Sequence, residues 1–459
     1  MPRRDVFATF GLLCALSLAC SAQTPVCAAK LQSSMACVIP QIYGLNGFDL
    51  PNPAHEAHFS NGALVDYNAL LTMPVNTSVG TGLTLLSLPS PASGVIFTTD
   101  PALGTVIPSN ESYGPILSER AETIGKHRFY VAATYQFFDF SSLDGISLKH
   151  LPVVFTHAQF TIAGVHPIYE EDYIKTQDRI DLKAHQVTLY GTYGLTSRID
   201  VSVAVPILDV SLGITSAATI VRVAPQPVPV GDPTYPSTDG TGYYHFFDLA
   251  NPATSVNKTY SNSSRASGIG DVVFRVKGTV LKRERAKVAL GLDLRAPTGD
   301  AKNFLGSGST GVKAFTAASY RARVSPHANL GFEWNGQSIL EGNLTTATTG
   351  KLPNAFFYSG GVDVGITKRW TVAADLLGTR LSSSERVHTT GYVDVDGAPQ
   401  SGVQQLTSSR DAVNMVDVSL GTKFSLVGNL LLTANVLFKV NDAGLRANVV
   451  PLVGLSYSF

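Results

Sequence analysis

Charged side chains recur in this chain on alternate residues, beside apolar neighbours. Asp271, Arg275 and Lys277 alternate with Val272, Phe274 and Val276; Asp293 and Arg295 alternate with Leu292 and Leu294; Glu333 sits between Phe332 and Trp334. Residues two apart share one face of a strand. These six ionisable groups are therefore expected on a polar wall, with Asp200, Lys313, Arg321, Asp363, Asp375, Asp417, Lys423 and Lys439 on the same face of other segments. Both signs are mixed, which does not suit a strongly anion- or cation-selective path. Two readings stand: a polar lumen that passes or binds a solute, or an ion-pair network that merely satisfies a narrow, plugged interior.

Other residue types suggest less. Residues 234–252 carry Tyr235, Tyr243, Tyr244, His245, Phe246 and Phe247. Tyr243, Tyr244, Phe246 and Phe247 are candidates for an apolar landing site for hydrophobic solutes; packing of the loop on itself, or an interfacial girdle, is the plainer reading. Gly306, Gly308 and Gly311 match G-x-G-x-x-G, but no βαβ unit surrounds them, so they read as a flexible turn. His55-Glu56-Ala57-His58 sets its histidines three apart, not four as on a zinc helix, and reads as solvated loop. No G-x-S-x-G elbow occurs. No catalytic residue, metal ligand or cofactor is expected, and no enzymatic activity.

The elements that must position the charged wall are strands. From residue 127 to the end, segments of about ten residues alternate apolar and polar positions, as a membrane-spanning barrel requires. The last strand sets Val453, Leu455, Tyr457 and Phe459 against Gly454, Ser456 and Ser458. This ending resembles the C-terminal assembly signal of bacterial outer-membrane barrels, carried by Tyr457 and Phe459. Linkers alternate between short turns and long loops. The long ones include 141–178, 224–268 and 382–410. The parity gives twelve strands, or fourteen if 153–163 and 209–223 were separate spans. The expected fold is all-β: an antiparallel transmembrane β-barrel over residues 127–459.

The N-terminal part differs. Arg3 and Arg4 precede an apolar stretch at 6–18, too short to span a bilayer. Residues 1–22 read as a signal peptide cleaved after Ala22, with a weaker alternative of lipoprotein cleavage at Cys20. Residues 23–126 lack the strand rhythm and read as a periplasmic segment or a plug. Of four cysteines, Cys27 and Cys37 remain after cleavage and are expected to pair in an oxidising periplasm. Lysines plus arginines and aspartates plus glutamates number 34 each, which argues against a nucleic-acid partner. The expected partners are outer-membrane lipid, the barrel assembly machinery and a small-molecule solute.

Five stretches carry a family resemblance: Gly114-Pro-Ile-Leu-Ser-Glu-Arg-Ala-Glu-Thr-Ile-Gly125, Tyr193-Gly-Leu-Thr-Ser-Arg-Ile-Asp-Val-Ser-Val-Ala-Val-Pro206, Gly268-Ile-Gly-Asp-Val-Val-Phe-Arg275, Leu290-Gly-Leu-Asp-Leu-Arg-Ala-Pro-Thr-Gly-Asp300 and Ser325-Pro-His-Ala-Asn-Leu-Gly-Phe332. Together they resemble the outer-membrane proteins grouped with the meta-pathway of phenol degradation, a family broadly similar to long-chain fatty-acid and aromatic-hydrocarbon channels. The resemblance runs from about residue 114 to the end and leaves the N-terminal hundred residues outside. It implies an outer-membrane transporter or channel and names no solute. The expected function is passive uptake of a small hydrophobic or aromatic molecule. The alternative is a structural or adhesive barrel that binds a surface partner through its long loops.

Overall fold

The computed structural model describes residues 25–53, 55–56, 58–60, 72–90, 97–99, 106–108, 112–157, 168–228 and 241–459. The expected signal peptide, the lipoprotein box, Tyr235 and part of 153–163 lie outside the described residues.

Twelve antiparallel strands form a closed ring: β1 (Phe129–Leu143), β2 (Tyr173–Gly194), β3 (Ile199–Val221), β4 (Asn257–Ile269 continued by Val272–Lys282), β5 (Ala286–Ala296), β6 (Gly311–Tyr320), β7 (Val324–Asn335), β8 (Ala355–Thr367), β9 (Trp370–Val393), β10 (Pro399–Val427), β11 (Leu430–Lys439) and β12 (Val449–Ser458). Each pairs with its chain neighbours, and β12 closes on β1 from Leu452↔Gln136 to Ser458↔Tyr130. The count is twelve because residues 209–221 belong to β3. The short strand Leu151–Thr156 only borders the upper end of β2, from Leu151↔Asp178 to Thr156↔Tyr173.

The period-two faces point as their polarity dictates. Leu290, Leu292 and Leu294 are about half exposed on the outer surface, whereas Asp293 between them is 4 % exposed. On β4, Phe274 and Val276 face out and Lys277 is 1 % exposed. Register is fixed by this polarity: a slip by one residue would turn Lys287 and Arg295 towards lipid, at roughly 2–4 kcal/mol each near the midplane.

Five strands run well past the bilayer. A tilted strand crosses the hydrocarbon in about 9–11 residues. The strands β2, β3, β9 and β10 have 22, 23, 24 and 29, and the two segments of β4 have 13 and 11. On β2 the outward residues change from Leu189 and Val187 to Lys183, Asp181 and Arg179, which places the bilayer edge between the two groups. The projecting ends form a collar on the long-loop side. This corrects the expected loops at 224–268 and 382–410. Residues 257–269 pair with β3, and most of 382–410 belongs to the β9–β10 hairpin.

The N-terminal residues occupy the inside of the ring. Met35, Phe48 and Phe59 share one apolar cluster with Ile174, Leu212 and Ile214 in the collar. There Tyr43 Oη bonds Ser216 Oγ at 2.9 Å and donates to Asp178 at 3.1 Å. Cys27 and Cys37 are disulfide-bonded, with Cα atoms 6.3 Å apart. The helix α1 (Met73–Leu83) has Pro74 in its first turn, where no intrahelical N–H bond is lost. It packs on Leu340 and Leu445. Residues 112–124 reach the short-turn end: Tyr113 Oη donates to Lys368 O at 2.8 Å, and Thr123 Oγ1 to Ser197 O at 3.2 Å.

The carboxyl end finishes the closing seam. Phe459 N donates to Phe129 O at 2.8 Å, and the Tyr457 and Phe459 rings meet edge to face with centroids 4.7 Å apart. Both side chains face outward, where an assembly factor can reach them. Deleting Phe459 is expected to reduce assembled barrel several-fold at unchanged synthesis. Heat-modifiable gel mobility of outer-membrane fractions measures this; equal folded yield would remove the residue from recognition.

Candidate functional site: the barrel lumen

The stretch 112–124 carries three charges in four residues, Glu119, Arg120 and Glu122, and each meets an inward group of the wall. Glu119 accepts from Arg275 Nη1 at 2.5 Å and from Lys277 Nζ at 2.8 Å. Lys277 also donates to the carbonyls of Arg120 and Glu122. Arg120 pairs with Asp363 at 3.0 Å. Glu122 accepts from Ser319 Oγ at 2.6 Å and faces Lys287 at 3.4 Å. Lys423 donates to Tyr113 O and Pro115 O. Burial works to raise the Glu119 carboxyl, but Lys277 and Arg275 outweigh it and hold the group below its ordinary range. The inserted segment thus pairs the inward charges of the wall, each of which would be costly if left buried alone.

Above this floor lies a cavity of about 360 Å³. One side is charged. Arg275 grips Asp293 through two bonds of 2.6 and 2.7 Å, Lys313 meets Asp293 at 3.0 Å, and Arg295 meets Glu333 at 3.1 Å. The other side is mainly apolar, with Phe138, Phe140, Leu377, Leu437 and Val450, and holds one ion pair, Arg446 with Asp417; Leu85 and Leu86 of the N-terminal part also line it. One inward ring lies flat on a glycine. A Cβ at Gly291 would stand 2.1 Å from Phe315 Cζ. Only glycine lets this ring hug the wall and leave the centre open. Arg275 covers the Phe315 ring at 4.8 Å.

Of the six charged candidates, Arg275, Asp293, Arg295 and Glu333 line the cavity. Lys277 does not; it lies beneath, anchoring residues 119–122. Asp271 is also elsewhere. It accepts from Gly299 N at 3.1 Å, Ser307 N at 2.8 Å and Ser307 Oγ at 2.5 Å, and so ties down the 297–310 loop. That role places Gly306 and Gly308 in a fixed loop rather than a flexible turn.

The aromatic loop is not an open landing site. Tyr244 and Phe246 are fully buried, Tyr243 lies under Arg222 at 4.8 Å, and Phe247 packs by Phe48 and Tyr260. Asn52 Nδ2 donates to Tyr244 O at 2.8 Å, so the N-terminal segment covers these rings. The reading of His55 and His58 as solvated loop is also corrected. His55 is 1 % exposed, and the two approach His157 and His245 from distant parts of the chain. Sequence reasoning missed this group because its members lie about a hundred residues apart. It also missed Glu119, Arg120 and Glu122, although an acidic-basic run in an otherwise weakly charged segment was a usable signal.

A closed strand ring with an apolar outer belt and a charged interior defines a bacterial outer-membrane β-barrel. Residues 187–444 match the family described as "Putative MetA-pathway of phenol degradation", and the chain belongs to that family. No curated protein matches the chain significantly. Among solved structures, an outer-membrane channel from Pseudomonas putida F1 is similar at 11% identity and TM-score 0.42, covering 74% of this chain and 99% of its own. A FadL homologue from Pseudomonas aeruginosa is similar at 11% identity and TM-score 0.29, covering 80% of this chain and 94% of its own. At these values the two likenesses carry no functional conclusion.

Proposed function

We propose that this barrel takes a small hydrophobic or aromatic molecule across the outer membrane by passive uptake, with the lumen cavity as its binding station. The observation that carries this reading is the cavity's two-sided lining. An apolar wall supplies burial for a ring or short chain. The facing charged wall, with Arg275, Asp293, Arg295 and Glu333, supplies hydrogen bonds for one polar substituent. The family's description names phenol degradation, whose compounds have this shape: a ring with a hydroxyl. Residues 112–124 act as a plug that must yield for passage.

Uptake into liposomes of a panel of aromatics, fatty acids and sugars tests the reading. Phenolic or other small aromatic solutes are expected to enter fastest. Gly291→Val should force the Phe315 ring into the cavity and slow aromatic uptake at least several-fold, with folded yield unchanged. Equal rates for sugars and aromatics, or no effect of the variant, would overturn the proposal. A barrel that passes nothing would favour the structural or adhesive alternative.

A further inference from the structure

Four histidines from three separate stretches converge in the collar. His55 and His58 come from the N-terminal segment, His157 follows Leu151–Thr156, and His245 comes from the loop between β3 and β4. One ring nitrogen of each lies within 4.8 Å of all the others. His58 Nδ1 is 2.9 Å from His55 Nδ1 and 2.7 Å from His157 Nε2. His55, His157 and His245 are each 1 % exposed or less.

We infer that these four imidazoles form a binding site for a divalent first-row transition cation, with zinc the fitting example. Several features of the geometry support it. A ring nitrogen offers either one lone pair or one proton, yet His58 Nδ1 faces two other ring nitrogens at hydrogen-bond range. A shared cation serves all the lone pairs at once. Zinc–nitrogen bonds of about 2.0–2.1 Å place tetrahedral ligands roughly 3.4 Å apart, and the observed separations bracket that value. His245 shows the supporting contact such ligands need: its Nδ1 meets Asp172 Oδ2 at 2.8 Å, which leaves Nε2 for the metal. That Nε2 is buried and has no hydrogen-bond partner. Asp172 is itself held by the backbone N–H groups of Val223 and Ala224. The Arg222 guanidinium lies near, but it is spent on the carbonyls of His245, Pro252 and Ala253.

The donor set fixes the ligand class. Imidazole suits zinc, copper and nickel, whereas calcium and magnesium require oxygen ligands. Four protein ligands complete a tetrahedron and leave no open position, so the ion is structural. It would fasten the N-terminal segment to two elements of the collar.

The test uses the full mature chain, purified folded in detergent and stripped with a chelator. Titration with zinc chloride should show one ion bound per chain, and cobalt(II) should give the intense visible bands of a tetrahedral site. His58→Ala, at the one member that is only partly buried, should weaken zinc binding at least tenfold. Asp172→Asn keeps all four ligands and should weaken it 10–100-fold. Folded barrel is verified for each by heat-modifiable gel mobility. Absence of zinc binding by the folded parent protein would overturn the inference. So would folded variants that both bind zinc as the parent does, or a cobalt spectrum of octahedral type.

Discussion

Replacing Glu119 by alanine is expected to raise the conductance of single channels in planar bilayers several-fold, while the barrel stays folded. Glu119 is the one acceptor that ties the inserted segment to both Arg275 and Lys277. Removing one partner of a buried ion pair costs roughly 3–5 kcal/mol, because the remaining charge stays buried and unsatisfied. Arg275 keeps Asp293, so the larger burden falls on Lys277, which is 1 % exposed. Lys277 keeps the carbonyls of Arg120 and Glu122, so water entering the lumen makes up for the lost carboxylate and the segment loosens at Glu119. Twelve strands of wall hydrogen bonding do not depend on Glu119, so folded yield should hold. A conservative Glu119→Gln should fall between the two, since it keeps an acceptor but not the charge. Unchanged conductance in the alanine variant would show that the segment is held by its other contacts alone.

The second large effect concerns the lipid face. Leu292→Arg should cut insertion into the outer membrane drastically, because the residue is 51 % exposed on the outer surface at mid-strand. An arginine near the bilayer midplane costs roughly 2–4 kcal/mol. Combining it with Leu330→Arg, equally exposed on β7, should leave little assembled protein. The two sites are separated by β6 and share no pairing, so their costs should nearly add. Fractionation followed by heat-modifiable mobility reads the result. Wild-type levels of folded double variant would show that this belt does not face lipid.

What the sequence disclosed follows from how local the signal is. Strand faces repeat every two residues, so the outward leucines of β5 and the inward Asp293 and Arg295 were legible one segment at a time. The collar was not. Above the bilayer the outer face meets water, so Ser263, Ser264 and Arg265 pair in β4 without any apolar alternation, and the stretch reads as loop. The burial of Tyr244 and Phe246 depends on Asn52 and its neighbours, nearly two hundred residues earlier. The lumen candidates were placed on the right face, but periodicity says nothing about height. Height separates Arg275, which lines the cavity, from Lys277, which lies below it, and from Asp271, which serves a loop.

The path of the N-terminal residues sets the order in which this molecule can be made. The described residues among 25–60 sit at the collar, residues 112–124 at the opposite end, and β1 begins at that opposite end. The chain therefore runs lengthwise through a ring that its own first and last strands must seal. The disulfide-closed part at Cys27–Cys37 packs in one apolar cluster with the collar strands, so threading it through a finished ring would have to form that cluster from within. The seam between β1 and β12 is therefore expected to shut last, around a core already in place. Premature sealing would leave that core stranded outside, with its apolar faces uncovered.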